Sequence, residues 1–164
     1  MTEDSASTNG IVLRPGEGKR LLSPPSRRLP APLFVKAGAV DTRGAYSVFE
    51  QAMAPGALGP GHHIHDWAEE AWYILDGELT FRIGDAITQA GAGTFVLVPR
   101  GVAHSYENPG AATARYLTLF SPPRDQFWEQ LTDLVESAPD GQPDRKLLQA
   151  LRDAQPGGFS RPAP

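Results

Sequence analysis

Gly61-His62-His63-Ile64-His65-Asp66-Trp67-Ala68-Glu69-Glu70-Ala71-Trp72-Tyr73-Ile74-Leu75-Asp76-Gly77 is the stretch on which the reading of this chain turns. Only four histidines occur in the sequence, and three of them, His62, His63 and His65, fall within this segment. Side chains of extended backbone alternate between two faces, so His63 and His65 point to one side and His62 to the other. Glu70 stands where the next extended run begins, and a tight return brings its carboxylate against the imidazole pair. That run ends at Asp76-Gly77, a residue pair suited to a hairpin turn in which Gly77 takes a positive φ. Two imidazoles and a carboxylate on one face are nitrogen and oxygen donors of the kind that hold a single metal ion. The fourth histidine, His104, lies far along the chain, and only a closed sheet delivers it to the same place.

Outward from this segment the pattern is of brief β-branched and aromatic runs separated by Gly, Pro, Asp and Asn. Leu79-Thr80-Phe81-Arg82-Ile83 alternates apolar with polar residues, and Gly84-Asp85 follows it as a second turn. The expected strands are 33–36, 46–53, 62–65, 71–75, 78–83, 86–89, 94–98, 104–107 and 114–120, with a short edge strand around Ile11 to Leu13. With 17 Gly and 16 Pro in the chain, many turns between short elements are required, and an all-β barrel or sandwich is the expected class. After Ser121-Pro122-Pro123 the period changes. Phe127, Leu131, Leu134 and Val135 recur at helical spacing, which predicts an amphipathic helix from Arg124 to Glu136. A second, carrying Leu147, Leu148 and Leu151, is expected after Pro143. The organisation is then an irregular N-terminal arm (1–30), a barrel (31–121), C-terminal helices (122–154) and a frayed tail (155–164).

A length of 164 residues suits one domain whose core needs no covalent staple. Fifteen basic against nineteen acidic side chains give a net charge of -4, so attraction to nucleic acid or to an anionic membrane is not expected. The chain has no cysteine, which excludes disulfides, thiolate metal sites and a catalytic thiol. Residues 1–8 are acidic and lack the apolar run of a signal peptide, so a cytoplasmic location is the expectation.

Read together, residues 61–77 resemble the first cupin motif, with two histidines one residue apart, a glutamate and then a glycine. Gly93, the run Pro99-Arg100-Gly101-Val102-Ala103-His104 and Asn108 resemble the second. The resemblance implies a single cupin jelly-roll barrel with a C-terminal helical extension, and one divalent transition-metal ion per chain held by His63, His65, Glu70 and His104. These donors leave one positive charge on a divalent ion and, at six-coordination, two positions for water, dioxygen or substrate. They do not choose among Fe, Mn, Co, Ni, Zn and Cu.

Alternation carries Trp72 and Ile74 inward with Glu70, and Tyr106 and Asn108 inward with His104, so an aromatic, apolar substrate pocket competes with plain barrel core at these positions. No cluster of Arg and Lys accompanies the ligands in sequence, which weighs against a phosphorylated substrate. The segments 70–81 and 98–104 resemble small bacterial single-domain cupins related to quercetin 2,3-dioxygenase, in which the glutamate ligand also takes the substrate hydroxyl proton. The resemblance implies a dioxygenase acting on an aromatic or enolisable small molecule, with Glu70 as ligand and base, and a homodimer. Two other classes compete: a non-oxidative isomerase, cyclase or decarboxylase, and a metal-anchored binding or sensor protein.

Overall fold

The computed structural model describes residues 10–21, 33–139 and 142–154. Nine strands come first: β1 (Lys19–Leu21), β2 (Leu33–Ala37), β3 (Ser47–Met53), β4 (Glu69–Asp76), β5 (Glu78–Ile83), β6 (Ala86–Gly91), β7 (Phe95–Val98), β8 (His104–Glu107) and β9 (Ala114–Ser121). Two helices follow, α1 (Asp125–Ser137) and α2 (Arg145–Asp153). Strict alternation in β3 buries Ser47, Phe49, Gln51 and Met53, and in β9 it buries Ala114, Tyr116, Thr118 and Phe120. Period-two burial of this kind is what one face packed on a core dictates.

The strands form two antiparallel sheets that make a jelly roll, one in the order β1-β2-β3-β9-β4-β7 and the other in the order β6-β5-β8. Register fixes which side chains share the inner wall. Glu70 lies opposite Phe120 and Val98, and Trp72 lies opposite Thr118 and Val96. Across the second sheet Phe81 pairs with Tyr106 and Ile83 with His104, so β5 carries β8 into position. One apolar cluster fills the interior with Met53, Trp72, Ile74, Leu79, Phe81, Tyr106 and Tyr116. Each such large side chain stabilises the fold by about 1.5–3 kcal/mol relative to exposure. Asn108, 1% exposed, ties loops to this core through bonds from its side-chain amide to the carbonyls of Met53 and Ala112. No described helix is long and apolar enough to cross a membrane.

At the β4–β5 turn Gly77 takes φ 73°, and a Cβ there would sit 2.8 Å from the Thr113 carbonyl oxygen. Both the conformation and the close approach require glycine. Two expected strands differ. Residues 11–13 form no strand, and Val12 is 94% exposed; the arm pairs instead through β1, where Leu21 sits opposite Leu33 and is buried. The turn at Pro15-Gly16 intervenes, so only the chain after it runs alongside β2. Residues 62–65 form isolated bridging, His63 to His104 among it, and no strand, because Pro60-Gly61 on one side and the bend at Asp66-Trp67 on the other leave no length for a ladder. The expected tail at 155–164 and most of the arm lie outside the described residues.

Candidate metal centre

Short as it is, the histidine segment is fastened on both sides. His63 and His104 exchange backbone hydrogen bonds of 3.0 and 2.8 Å, and the Gly101 N–H donates to the His65 carbonyl at 2.9 Å. Gly101 has φ 76°, the sharp turn that starts the chain towards β8. Alternation survives without the ladder, since His63 and His65 are buried and His62 is half-buried. At the start of β4 the same parity separates two neighbouring carboxylates. Glu69 faces outward to Arg100, 3.2 Å away, while Glu70 is 5% exposed on the inner wall.

His63, His65, Glu70 and His104 converge, with one potential ligand atom from each lying within 4.8 Å of all the others. His63 Nε2 stands 3.0 Å from His65 Nε2. The Glu70 carboxylate oxygen lies 3.1 Å from His104 Nε2 and 3.3 Å from His65 Nε2. Metal–nitrogen and metal–oxygen bonds of about 2.0–2.2 Å place neighbouring donors about 3 Å apart, so the spacing suits a common ion. Outer contacts set the tautomers. His63 Nδ1 donates to the Gly61 carbonyl at 2.8 Å, and His104 Nδ1 donates to the Val102 carbonyl at 2.9 Å. A carbonyl can only accept, so in the neutral rings each Nε2 is left as a lone pair aimed inward. On this chemistry the four side chains fit a divalent cation and could hold one.

The charges agree. Burial lowers His63 to about 4, with His104 and His65 adding to the shift against the opposing pull of Glu70. His65 is lowered mainly by burial despite the opposing contact with Glu70. Burial alone would raise Glu70, but hydrogen bonds and charge from His104 and His65 outweigh it and hold the carboxyl at about 2. His104 goes the other way: burial lowers it, yet Glu70 raises it more. At neutral pH the site therefore offers an ionised carboxylate and two uncharged imidazoles.

Around the four, the expected pocket side chains are closely packed. The Trp72 ring lies 5.7 Å from His104, 5.5 Å from Tyr106 and 5.2 Å from Phe81, and Ile74 is fully buried. Three polar groups went unnoticed in the sequence. Gln51 and Thr118 are buried on the inner wall, where Gln51 Oε1 and Thr118 Oγ1 have no hydrogen-bond partner among the described residues. Their signal was available, because each occupies the inward parity of its strand, where an apolar residue is the rule. The third, Arg124, is 3% exposed just after β9, with its guanidinium over the rings of Trp67, Phe120 and Phe127. No local pattern announced its burial. A surface hollow of about 570 Å³, lined by Ile11, Leu13, Lys36, Tyr46 and Glu50 among others, contains none of the four donors.

Comparison with known proteins bears on the barrel. Residues 49–120 match the family model of the cupin domain. An uncharacterized protein of Streptomyces coelicolor is 34% identical over 55 residues, which is 34% of this chain and 51% of that one; the match thus spans about half of the relative's length. Among solved structures, a Thermotoga maritima protein described as a predicted oxalate decarboxylase aligns with TM-score 0.53 at 23% identity, over 56% of this chain and 79% of that one. KdgF from Halomonas aligns with TM-score 0.52 at 18% identity, over 58% and 82%. A Klebsiella pneumoniae protein with a double-stranded β-helix domain aligns with TM-score 0.51 at 21% identity, over 60% and 82%. At these identities the structures speak for the fold alone. The match to the cupin domain model thus falls on the stretch of the chain that carries both sequence motifs and most of the jelly-roll strands.

Proposed function

We propose that this chain is a metal-dependent enzyme of the dioxygenase type, acting on an aromatic or enolisable small molecule. One observation carries the reading: four buried donors, drawn from a loop and two strands of different sheets, meet on the inner wall within 4.8 Å of one another. A divalent ion bound there would supply Lewis acidity and open positions for substrate or dioxygen. Glu70 is then both ligand and proton acceptor. A carboxyl held at about 2 takes up a proton reluctantly, so this role requires a substrate hydroxyl made acidic in the site, as that of an enol or phenol would be. His63 and His104 keep their Nδ1 protons on backbone carbonyls and orient the site without taking part in proton transfer.

A non-oxidative isomerase, cyclase or decarboxylase is the second reading, in which the same ion would polarise a carbonyl without the use of dioxygen. The likeness to the Thermotoga protein described as a predicted oxalate decarboxylase adds only a shared fold. The experiment is metal analysis of protein purified without added metal or a histidine tag, followed by a substrate screen on an oxygen electrode. Metal-dependent substrate loss with oxygen uptake supports the dioxygenase. Substrate loss without uptake moves the reading to the non-oxidative class. Tight metal and ligand binding with no turnover leaves a binding or sensor protein.

A further inference from the structure

An antiparallel sheet with one face on a core usually turns polar side chains outward, as β5 does with Glu78, Thr80 and Arg82. The six-stranded sheet departs from this rule on β9, β4 and β7. On its outward face Ala71 lies opposite Leu119 on one side and Leu97 on the other, and Tyr73 lies opposite Leu117 and Phe95. Six outward positions on three adjacent strands therefore carry no charge and a single hydroxyl. Phe95 is 63% exposed and Leu97 53%; Tyr73 is exposed too, and the two leucines of β9 are half-buried. Charges stand only at the margins, where each acid has a base of the same chain. Glu50, opposite Leu117, lies 2.9 Å from Lys36 and 2.8 Å from Arg115, and Glu69, two residues before Ala71, lies 3.2 Å from Arg100. The two helices use their apolar side chains elsewhere, against one another and against the cluster of Leu21, Leu33 and Phe49. A contiguous exposed apolar patch of this kind marks a contact surface.

We propose that the outward face of β9, β4 and β7 is an interface between two copies of this chain related by a two-fold axis. Charge favours a second copy over another partner. A two-fold axis sets residues near it against their own counterparts, so a charge there meets its own sign, whereas uncharged positions avoid that cost. The marginal charges are already paired within the chain, so the face offers none to select a partner of opposite sign. Size agrees as well. With β3 beside them, these strands run up to eight residues at about 3.4 Å each and stand about 4.8 Å apart, a face of roughly 20 by 25 Å. That is on the order of 500 Å² before side-chain relief is counted, enough for the centre of an interface that takes about 800 Å² from each partner. Two such sheets pack face to face about 10 Å apart with interdigitating side chains, and the rings of Tyr73 and Phe95 are the natural anchors. Pairing through the sheet edge is disfavoured, because β7 is only four residues long and Pro99 follows it.

Sedimentation equilibrium of the full chain over a wide concentration range tests this, with wild type, Phe95→Glu, Leu97→Glu and Ile87→Glu compared. Ile87 is the control, since it is 72% exposed on β6 of the other sheet and lies outside the face. Circular dichroism and the thermal midpoint are recorded for every sample. The wild type is expected to be a dimer. Loss of one anchor side chain typically weakens an interface about 30-fold or more, and the axis brings each substitution in twice, so Phe95→Glu and Leu97→Glu should weaken the dimer about 10³-fold. Ile87→Glu should dimerise as the wild type does. A wild type that stays monomeric at every concentration overturns the proposal and leaves the face to a different partner. Dimers that survive both Phe95→Glu and Leu97→Glu overturn it by putting the contact elsewhere, and an equal loss in Ile87→Glu overturns it by reducing the effect to added charge. Should either glutamate variant fail to fold, Phe95→Ser and Leu97→Ser, which remove apolar area without adding charge, decide by the same criterion.

Discussion

The inner wall of this barrel does two different things along its length. Towards one end Met53, Trp72, Ile74, Leu79, Phe81 and Tyr116 form a closed apolar cluster. Towards the other, the same strands present Glu70, Phe120 and Ser47, and the histidines and Arg124 fold in beside them. One strand, β4, serves both ends, since Glu70 belongs to the polar end and Ile74, on the same face, belongs to the apolar one. The lesson is one of satisfaction. Apolar side chains need only be packed, whereas a buried carboxylate needs partners, and here the partners are the imidazoles of His65 and of His104, whose outer nitrogen is held by the Val102 carbonyl. The apolar end makes the barrel; the polar end keeps donors ready that the fold itself does not consume.

If the two ends are separable in this way, changes at each should break different properties. The largest effect is expected at Glu70. Glu70→Gln is nearly isosteric, keeps the three imidazoles and removes the basicity, so turnover per bound metal should fall about 10²–10⁴-fold, the usual worth of a general base. Kinetics normalised to metal content check this, and an unchanged rate per metal would reduce Glu70 to a ligand.

At the other end, Phe81→Ala leaves a cavity under Trp72 and Tyr106 and should cost about 3–5 kcal/mol of stability. Denaturant unfolding measures the loss. Metal stoichiometry of the folded fraction should stay at the wild-type level, and a parallel loss of metal would show that the ends are not independent.

The metal-free polar end should also be the acid-sensitive one. His63 is lowered from 6.5 to about 4, chiefly by burial, and His65 is lowered as well, so between these pH values the unfolded chain binds more protons than the folded one. Stability of metal-free protein should therefore fall as pH drops from 6.5 towards 4. His104, raised because Glu70 outweighs burial, acts in the opposite sense, but its contribution is complete below 6.5 and is lost only as pH rises above that value. Urea midpoints across this window, compared with those of His63→Leu, read the effect: the variant should show the shallower slope.

The smallest effect is expected one residue away. His62→Ala should leave metal content at the wild-type level, whereas His63→Ala should lose most of it, because the two side chains point to opposite faces. Metal analysis of both variants side by side sharpens the boundary between the inner wall and the outside. The reverse result would place the register one residue out.

Local rules reached a long way into this molecule. Period-two alternation gave the face of β5 and the inward residues Glu70, Trp72 and Ile74 of β4 and His104 and Tyr106 of β8, turn chemistry placed Asp76-Gly77, and helical spacing located α1. All of these depend on neighbours a few residues apart. The cupin motifs extended that reach, bringing His104 to the same site as His63 although only a long-range bridge joins them. What failed were the expectations that needed a distant partner. Ile11–Leu13 has strand-like residues but pairs with no described strand, and residues 62–65 alternate correctly yet form isolated bridging instead of a ladder. Arg124 marks the limit. An arginine after Ser121-Pro122-Pro123 reads as a solvated helix start, and its burial became visible only with Ser47, Trp67, Phe120 and Phe127 around it. Sequence determined which residue types face inward, because pleat and period are properties of the backbone. Tertiary structure decided which inward residues meet, because burial of a charge depends on what the rest of the chain folds against it.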